Sequence, residues 1–526
     1  MKTLLLSVTI ALFPLVVAAQ SDPITFTFVA DSAAANEAAG TMPAHATIRN
    51  DSPDQTATNV FVRVQPFTPD ISTIEALDSA HCAFAEGMLR CDVGTLAPGQ
   101  QVTFDYVIHF TRGAGRARIN TVANYQFRIG EPRSKSAVVG ATLWRTFQVT
   151  NANDEGAGSL RQAMIDVNAD PVCADLPCRI LFSIAPAAEG QWRTIAVQSP
   201  LPLLVAGDVS IDATTQVDSN PLGPDVELLG SALRNGTALR IRSGEASVRG
   251  FAIGSFPHDG IFFDPAVRGS AIVIENNYIG VDPTGTRPVA NGSRGIVIGE
   301  GIVAHSAIRN NIISGNARSG IFVNTIIEPA LPLGNVLVID NNRIGVAAHT
   351  DDPIGNGASG IFVGPRAQQV GIHDNVIAYN LHMGVAVAAG QTQWISAGLN
   401  RIFGHPGQAY DINLNGPDGA QLPVIESAHY DPATGVTTIT GRGPVPSFVQ
   451  YEYLIYANRE VDGAGYAEAE QPLGSVHAQP DGRFVFTTSS GDLRGKYIDA
   501  QALEHFNLDG SFVETSAEMT RAVAVE

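Results

Sequence analysis

Lysine is nearly missing from this chain: Lys2, Lys135 and Lys496 are the whole complement, so arginine must supply any cationic chemistry. Positive charge is short overall, with 32 Lys and Arg against 51 Asp and Glu and a formal net charge of −19. Phosphate binding needs a basic footprint, so nucleic acid is not expected as a partner. Polyanionic sugars are disfavoured too, unless a local basic strip or Ca²⁺ intervenes. Long apolar runs are absent after the first twenty residues, which argues against a membrane span. P-loop, HExxH and nucleotide-binding glycine fingerprints are also missing. Cysteine is limited to two close pairs, Cys82 with Cys91 and Cys173 with Cys178. An even count at such spacing reads as disulfides formed in an oxidising compartment, and no second ligand pair supports zinc.

The N-terminus carries Met1-Lys2, an apolar run from Leu4 to Val17 and a small-residue site at Val17-Ala18-Ala19. This is the pattern of a secretory signal peptide over 1–19, so an exported protein is expected. Gly 52, few aromatics and abundant Val, Ile, Thr and Asn then point to an all-β chain.

A two-slot repeat runs from about Gly260 to Ile402. One slot is Asn followed two residues later by an aliphatic residue, at Asn277, Asn311, Asn342, Asn375 and Asn400. The other is Gly-Ile/Val-x-aliphatic, or Phe at the last place, starting at Gly260, Gly295, Gly320, Gly360 and Gly384. From Asn slot to Gly slot the separations run 18, 9, 18, 9, so each feature also returns at 64 or 65 residues. Short period-two strands stacked by a fixed return are a solenoid, here a parallel β-helix.

The flanks read differently. From about Ile24 to Phe147, short alternating runs such as Asn59–Val64 and Val102–Ile108 are separated by turn clusters, the pattern of a β-sandwich. After 419, strands at Val436–Ile439, Tyr451–Tyr456 and Arg483–Phe486 suggest a second one. Ser159 to Val167 is a short amphipathic helix with Ser159 as its cap, placed where an open β-helix end needs covering. The stretch Val149-Thr-Asn-Ala-Asn-Asp-Glu-Gly-Ala-Gly-Ser-Leu-Arg-Gln-Ala163 resembles the start of exported bacterial right-handed β-helix proteins of the CSLREA type, with Gly158 and Gln162 in place of that core's Cys and Glu. Cys173–Ile184 and Asn277-Tyr-Ile-Gly-Val-Asp-Pro-Thr-Gly285 are similar to further signatures of the group. Cys82…Cys91-Asp-Val-Gly-Thr-Leu-Ala-Pro-Gly99 resembles the Ig-like sandwich modules of bacterial surface proteins. These resemblances imply fold and export, not a particular activity. The expected order is signal peptide 1–19, sandwich 20–147, helix-capped right-handed β-helix 148–418 and sandwich 419–526.

Candidate functional residues come from strand alternation. The middle residue of each Gly slot points outward, giving the column Phe262, Val297, Phe322, Phe362, Ala386. The three Phe side chains are either covered by loops or stack against sugar rings. Two residues before each Asn slot, the outward column reads Glu275, Arg309, Asp340, His373. Opposite-sign pairing across strands accounts for it, and the alternative is an acid/base or ligand-binding strip including Arg309 and His373. The longer connections 280–294 and 345–359 should emerge side by side, the second with Asp351 and Asp352, too few ligands to argue for Ca²⁺. No other cofactor or metal is called for. Turns before the Gly slots carry His258, Asp259, Arg294 and Arg318, the candidate catalytic set. Phe256-Pro-His-Asp259 resembles part of the D-P-H-D of alginate epimerases but lacks the residues that precede it there. The leading expectation is a binding rod for polysaccharide or a cell-surface component. A polysaccharide lyase, hydrolase or epimerase is the alternative.

Overall fold

The computed structural model describes residues 23–526 except 32–33, 37–38, 67–71, 78–79, 86–87, 111–115, 128–131, 175, 266–269, 302, 304, 325–336, 389–392, 408–409, 413–421, 446–448, 463–464 and 509–510. The expected signal peptide, 1–19, lies outside the described residues. So does the expected junction at 418/419. The chain divides into two compact units, 1–144 and 145–526.

In the first unit, antiparallel strands form a four-stranded and a five-stranded sheet around one core. Alternation dictates this: in Ala57–Pro66, Ala57, Val60, Val62 and Val64 are buried between exposed or half-exposed neighbours. Cys82 and Cys91 lie opposite each other on paired strands and form a disulfide.

In the second unit, consecutive strands are parallel and go in turn to three sheets. Among the described residues these hold nine strands (Arg145–Val149 to Gln393–Gly398), eight (Arg193–Ala196 to Arg401–Phe403) and seven (Leu239–Ile241 to Tyr410–Ile412). This is the arrangement of a parallel β-helix. Its first strand, Arg145–Val149, pairs with Cys178–Phe182, so the stack starts before the expected boundary at 148. Ile261, Ile296, Ile321 and Ile361 lie in register and are fully buried, each burial worth about 1.5–3 kcal/mol.

The two repeat slots have distinct physical causes. The residue before each Asn slot bends the chain out of the nine-stranded sheet with a left-handed backbone: Asn276, Asn310, Asn341, Asp374 and Leu399, φ 55–58°. At that bend each Asn Oδ1 accepts the backbone N–H and the Nδ2–H of the Asn one coil earlier, as Asn342 does for Asn311 at 3.0 Å each. The chain of amides runs from Asn277 to Asn400. In the Gly slot, coils approach too closely for a side chain: a Cβ on Gly295 would lie 2.7 Å from the Gly320 carbonyl oxygen.

A second amide ladder, absent from the sequence reading, links Asn291, Asn316, Asn356 and Asn380, each four residues before a Gly slot. His405 takes the next place: its Nε2 accepts from Asn380 Nδ2 at 3.1 Å, leaving Nδ1 3.3 Å from Glu468.

The helix Leu160–Ala169 is capped by Ser159, whose Oγ accepts from Gln162 N–H, and sinks Leu160, Ala163, Met164 and Val167 into the rod's core. Cys173 and Cys178 are disulfide-bonded just after it. Beyond the last coils, antiparallel strands form two further sheets around Ile439, Tyr453 and Phe484. They are continuous with the rod: Leu454, Tyr456, Leu503 and Met519 join its core, and Tyr456 Oη accepts from Leu399 N–H.

Candidate functional site

The outward row beside the Asn bend is Asp212, Arg249, Glu275, Arg309, Asp340, His373, each in register with the next. Its polar groups are engaged locally, Asp340 by the Asn341 side-chain amide at 2.7 Å. Glu275 takes Arg309 at 2.8 Å and Arg249 at 3.3 Å, and His373 Nδ1 lies 2.9 Å from Asp374. Arg309 and His373, both candidate ligand contacts, are thus engaged within the protein. The arginine side of these pairs is open to solvent while Glu275 is buried, so each contributes on the order of 1 kcal/mol.

The long connections do emerge side by side, joined by the Ala348 N–H to the Gly285 carbonyl. Asp351 is held by Arg343 at 2.9 Å and Arg401 at 2.6 Å. Burial pushes its carboxyl up, but the bonds from Arg401 and Arg343 prevail and hold it below the ordinary carboxylate range. Asp352 accepts from the Thr350 hydroxyl. No group of three or more metal-binding side chains occurs among the described residues.

The seven-stranded sheet presents a different row. Phe262, Val297, Phe322, Phe362 and Ala386 lie in register, preceded by Arg240. The three Phe side chains are half-buried. Phe322 and Phe362 are parallel, 5.5 Å apart with 6° between planes. The Arg294 guanidinium, one coil earlier, sits 4.2 Å from the centre of Phe322. One face of Phe322 is therefore taken by Phe362 and the other by a cation, which leaves no ring face for a sugar there. Phe362 is followed by Ala386, whose small side chain leaves its far side without an aromatic or cationic neighbour among the described residues.

The candidate catalytic residues occupy the turns leading into that sheet. The Ser293 N–H donates to the His258 carbonyl and the Arg318 N–H to the Ser293 carbonyl, so these turns stack. Asp259 Oδ1 accepts the Arg294 backbone N–H at 3.0 Å, the work of a turn-forming side chain. His258 Nε2 lies 2.6 Å from the Asn235 amide oxygen. Burial lowers the Arg294 pKa, Asp259 opposes that shift and Arg318 adds to it. The turns bring Asp259, Arg294 and Arg318 together on adjacent coils, and an acid/base pair within hydrogen-bond reach is not formed there.

Arg240 was missed by the sequence reading. Leu239-Arg240-Ile241 continues the row one coil before Phe262, but Ala238 stands in its glycine slot and breaks the pattern.

No family model matches this chain, and no curated protein matches it. Among solved structures it is similar to the catalytic unit of a GH87 α-1,3-glucanase from Streptomyces thermodiastaticus, at 13% identity over 73% of this chain and 69% of that one, TM-score 0.24. It is also similar to tailspike protein gp49 of Acinetobacter baumannii bacteriophage Fri1, a capsular polysaccharide depolymerase, at 8% identity over 76% of this chain and 86% of that one, TM-score 0.24. A GH20 exo-β-N-acetylglucosaminidase from Vibrio harveyi is matched at 15% identity over 22% of this chain, TM-score 0.14; the match spans 17% of that enzyme's length. At these scores the three bear on no point of the reading below.

Proposed function

We propose that this is an exported protein whose β-helix binds polysaccharide along the seven-stranded sheet, without turning it over. The observation that carries this is the half-buried Phe362, stacked on Phe322 in an in-register row on a rigid parallel sheet, with its far ring face next to the small Ala386. A repeating surface on a fixed pitch of about 4.8 Å suits a repeating polymer. Export rests on the N-terminal signal pattern and the two disulfides. In this reading the helix Leu160–Ala169 closes one end of the rod and the antiparallel sheets serve as display modules.

A second reading, a lyase or other carbohydrate-active enzyme, is favoured by one feature: Asp259, Arg294 and Arg318 on neighbouring turns. The test is a polysaccharide panel applied to the purified full chain, following retention and ultraviolet absorbance from new unsaturated sugar ends. Retention without absorbance, weakened by Phe362→Ala, is the expected result. New absorbance lost in Arg318→Ala would make the protein a lyase and overturn the binding reading.

A further inference from the structure

The rod's arginines differ in their company. Many, among them Arg242, Arg249, Arg287, Arg309, Arg343 and Arg401, face a carboxylate within ion-pair distance. Arg193 donates instead to the Ala185 and Pro186 carbonyls. Among the described residues, Arg234, Arg240, Arg294 and Arg318 form no ion pair. Arg234, Arg240 and Arg318 are exposed. Arg240, Arg294 and Arg318 belong to one surface: Arg240 opens the Phe row, and Arg294 and Arg318 precede its third and fourth strands. Arg240 lies 5.8 Å from the Phe262 ring centre and Arg294 4.2 Å from that of Phe322.

This is an unexpected distribution in a chain of net charge −19. Scattered acids are abundant enough to pair every guanidinium, and on the neighbouring row they do. Arg294 is the sharpest case. It is partly withdrawn from water, its nearest acid, Asp259, is held by backbone, and its close neighbour is a second cation, Arg318. Two guanidiniums side by side repel each other, and a partly desolvated guanidinium whose acid neighbour forms no ion pair with it is under-compensated; an anion brought from outside relieves both. The planar fork of arginine fits a carboxylate or sulfate through paired hydrogen bonds.

We infer that the Phe row is a binding site for an anionic glycan, with Arg240, Arg294 and Arg318 taking its carboxylate or sulfate groups. The inference rests on the polysaccharide-binding reading and names its ligand class. The three guanidiniums span three coil steps, about 14 Å along the rod, so one chain lying along the axis meets all of them. The strip supplies locally the positive field that the whole molecule lacks.

The test measures binding of the full chain to polygalacturonate, chondroitin sulfate and neutral dextran, at about 50 mM and about 500 mM salt. Retention on an anionic polymer but not on dextran is expected, weaker at high salt. It should fall about tenfold or more in Arg294→Gln and in Arg318→Gln and recover only in part in Arg318→Lys. Arg309→Gln, in the self-paired row, should leave it unchanged. The two polymers tell a carboxylate ligand from a sulfate one. Equal retention on dextran, insensitive to Arg294→Gln and Arg318→Gln, overturns the anionic class while leaving the binding reading standing. No retention on any of the three, with the fold intact by circular dichroism, overturns both.

Discussion

Two outward rows run along the same coils of this rod, one built of charged side chains and the other mainly of apolar ones, and the arginines beside them end in opposite states. In the row from Asp212 to His373, acidic and basic residue types alternate from strand to strand, and its arginines are paired with Glu275. The row from Arg240 through Phe362 is mainly aromatic and aliphatic, and among the described residues the arginines around it form no ion pair. A repeated charge on a β-helix surface is therefore no sign of function by itself. The informative feature is a charge whose neighbours on adjacent coils decline to pair with it.

The largest blow to this comparison comes from the scaffold both rows hang on. Asn342→Ala removes the acceptor for the buried Asn311 N–H and amide, and should cost about 2–4 kcal/mol. Thermal unfolding would register it; an unchanged midpoint would show that the amide ladder is ornamental. Next comes Phe362→Ala, which should weaken glycan retention several-fold while moving the unfolding midpoint much less than Asn342→Ala does. Arg309→Gln is the mirror of that experiment: about 1 kcal/mol of stability, only partly screened by salt because Glu275 is buried, and no change in retention.

Acid offers a finer cut. The folded Asp351 carboxyl titrates below its unfolded value, so the contribution of its clamp to Arg343 and Arg401 is complete above the ordinary carboxylate range. It is lost as pH falls through the folded value. Asp351→Asn should flatten that part of the stability–pH curve and leave glycan retention at neutral pH untouched. The smallest effect is a gain. Leu399 holds a left-handed backbone at φ 55°, where the equivalent positions carry Asn or Asp, and Leu399→Asn should stabilise by up to about 1 kcal/mol.

Much of the rod was legible in the sequence because its two slots answer to strict local demands. A coil contact too close for a Cβ admits only Gly, and a bend with a buried amide wants Asn, so both recur in register. The second ladder was equally written, as Asn four residues before Gly at Asn291, Asn316, Asn356 and Asn380, and was overlooked beside the stronger Asn-x-aliphatic pattern. The candidate site was less readable. That Arg309 is quenched and Arg318 is not depends on which residue lies one coil away, about 30 positions distant along the chain. The face of Phe322 expected to receive a sugar is taken by Arg294, a residue of another coil. The first strand, Arg145–Val149, alternates like the antiparallel strands before it, and only its partner Cys178–Phe182 assigns it to the rod.

The alternation of long and short connections has a genetic corollary. Because long and short connections alternate from Asn277 to Gly384, a tandem duplication within that stretch keeps the alternation when it spans two coils, as a 65-residue block such as 277–341 does. A block of that size rejoins Asn to Asn and Gly to Gly and lengthens the stack by about 10 Å. A single-coil insertion would place two long connections or two short ones in succession, as the last coils already do with short ones, Asn375 to Val385 and Asn400 to Tyr410. Between Asn277 and Gly384 the rod should thus grow as a ruler graduated in pairs, while its far end admits single coils.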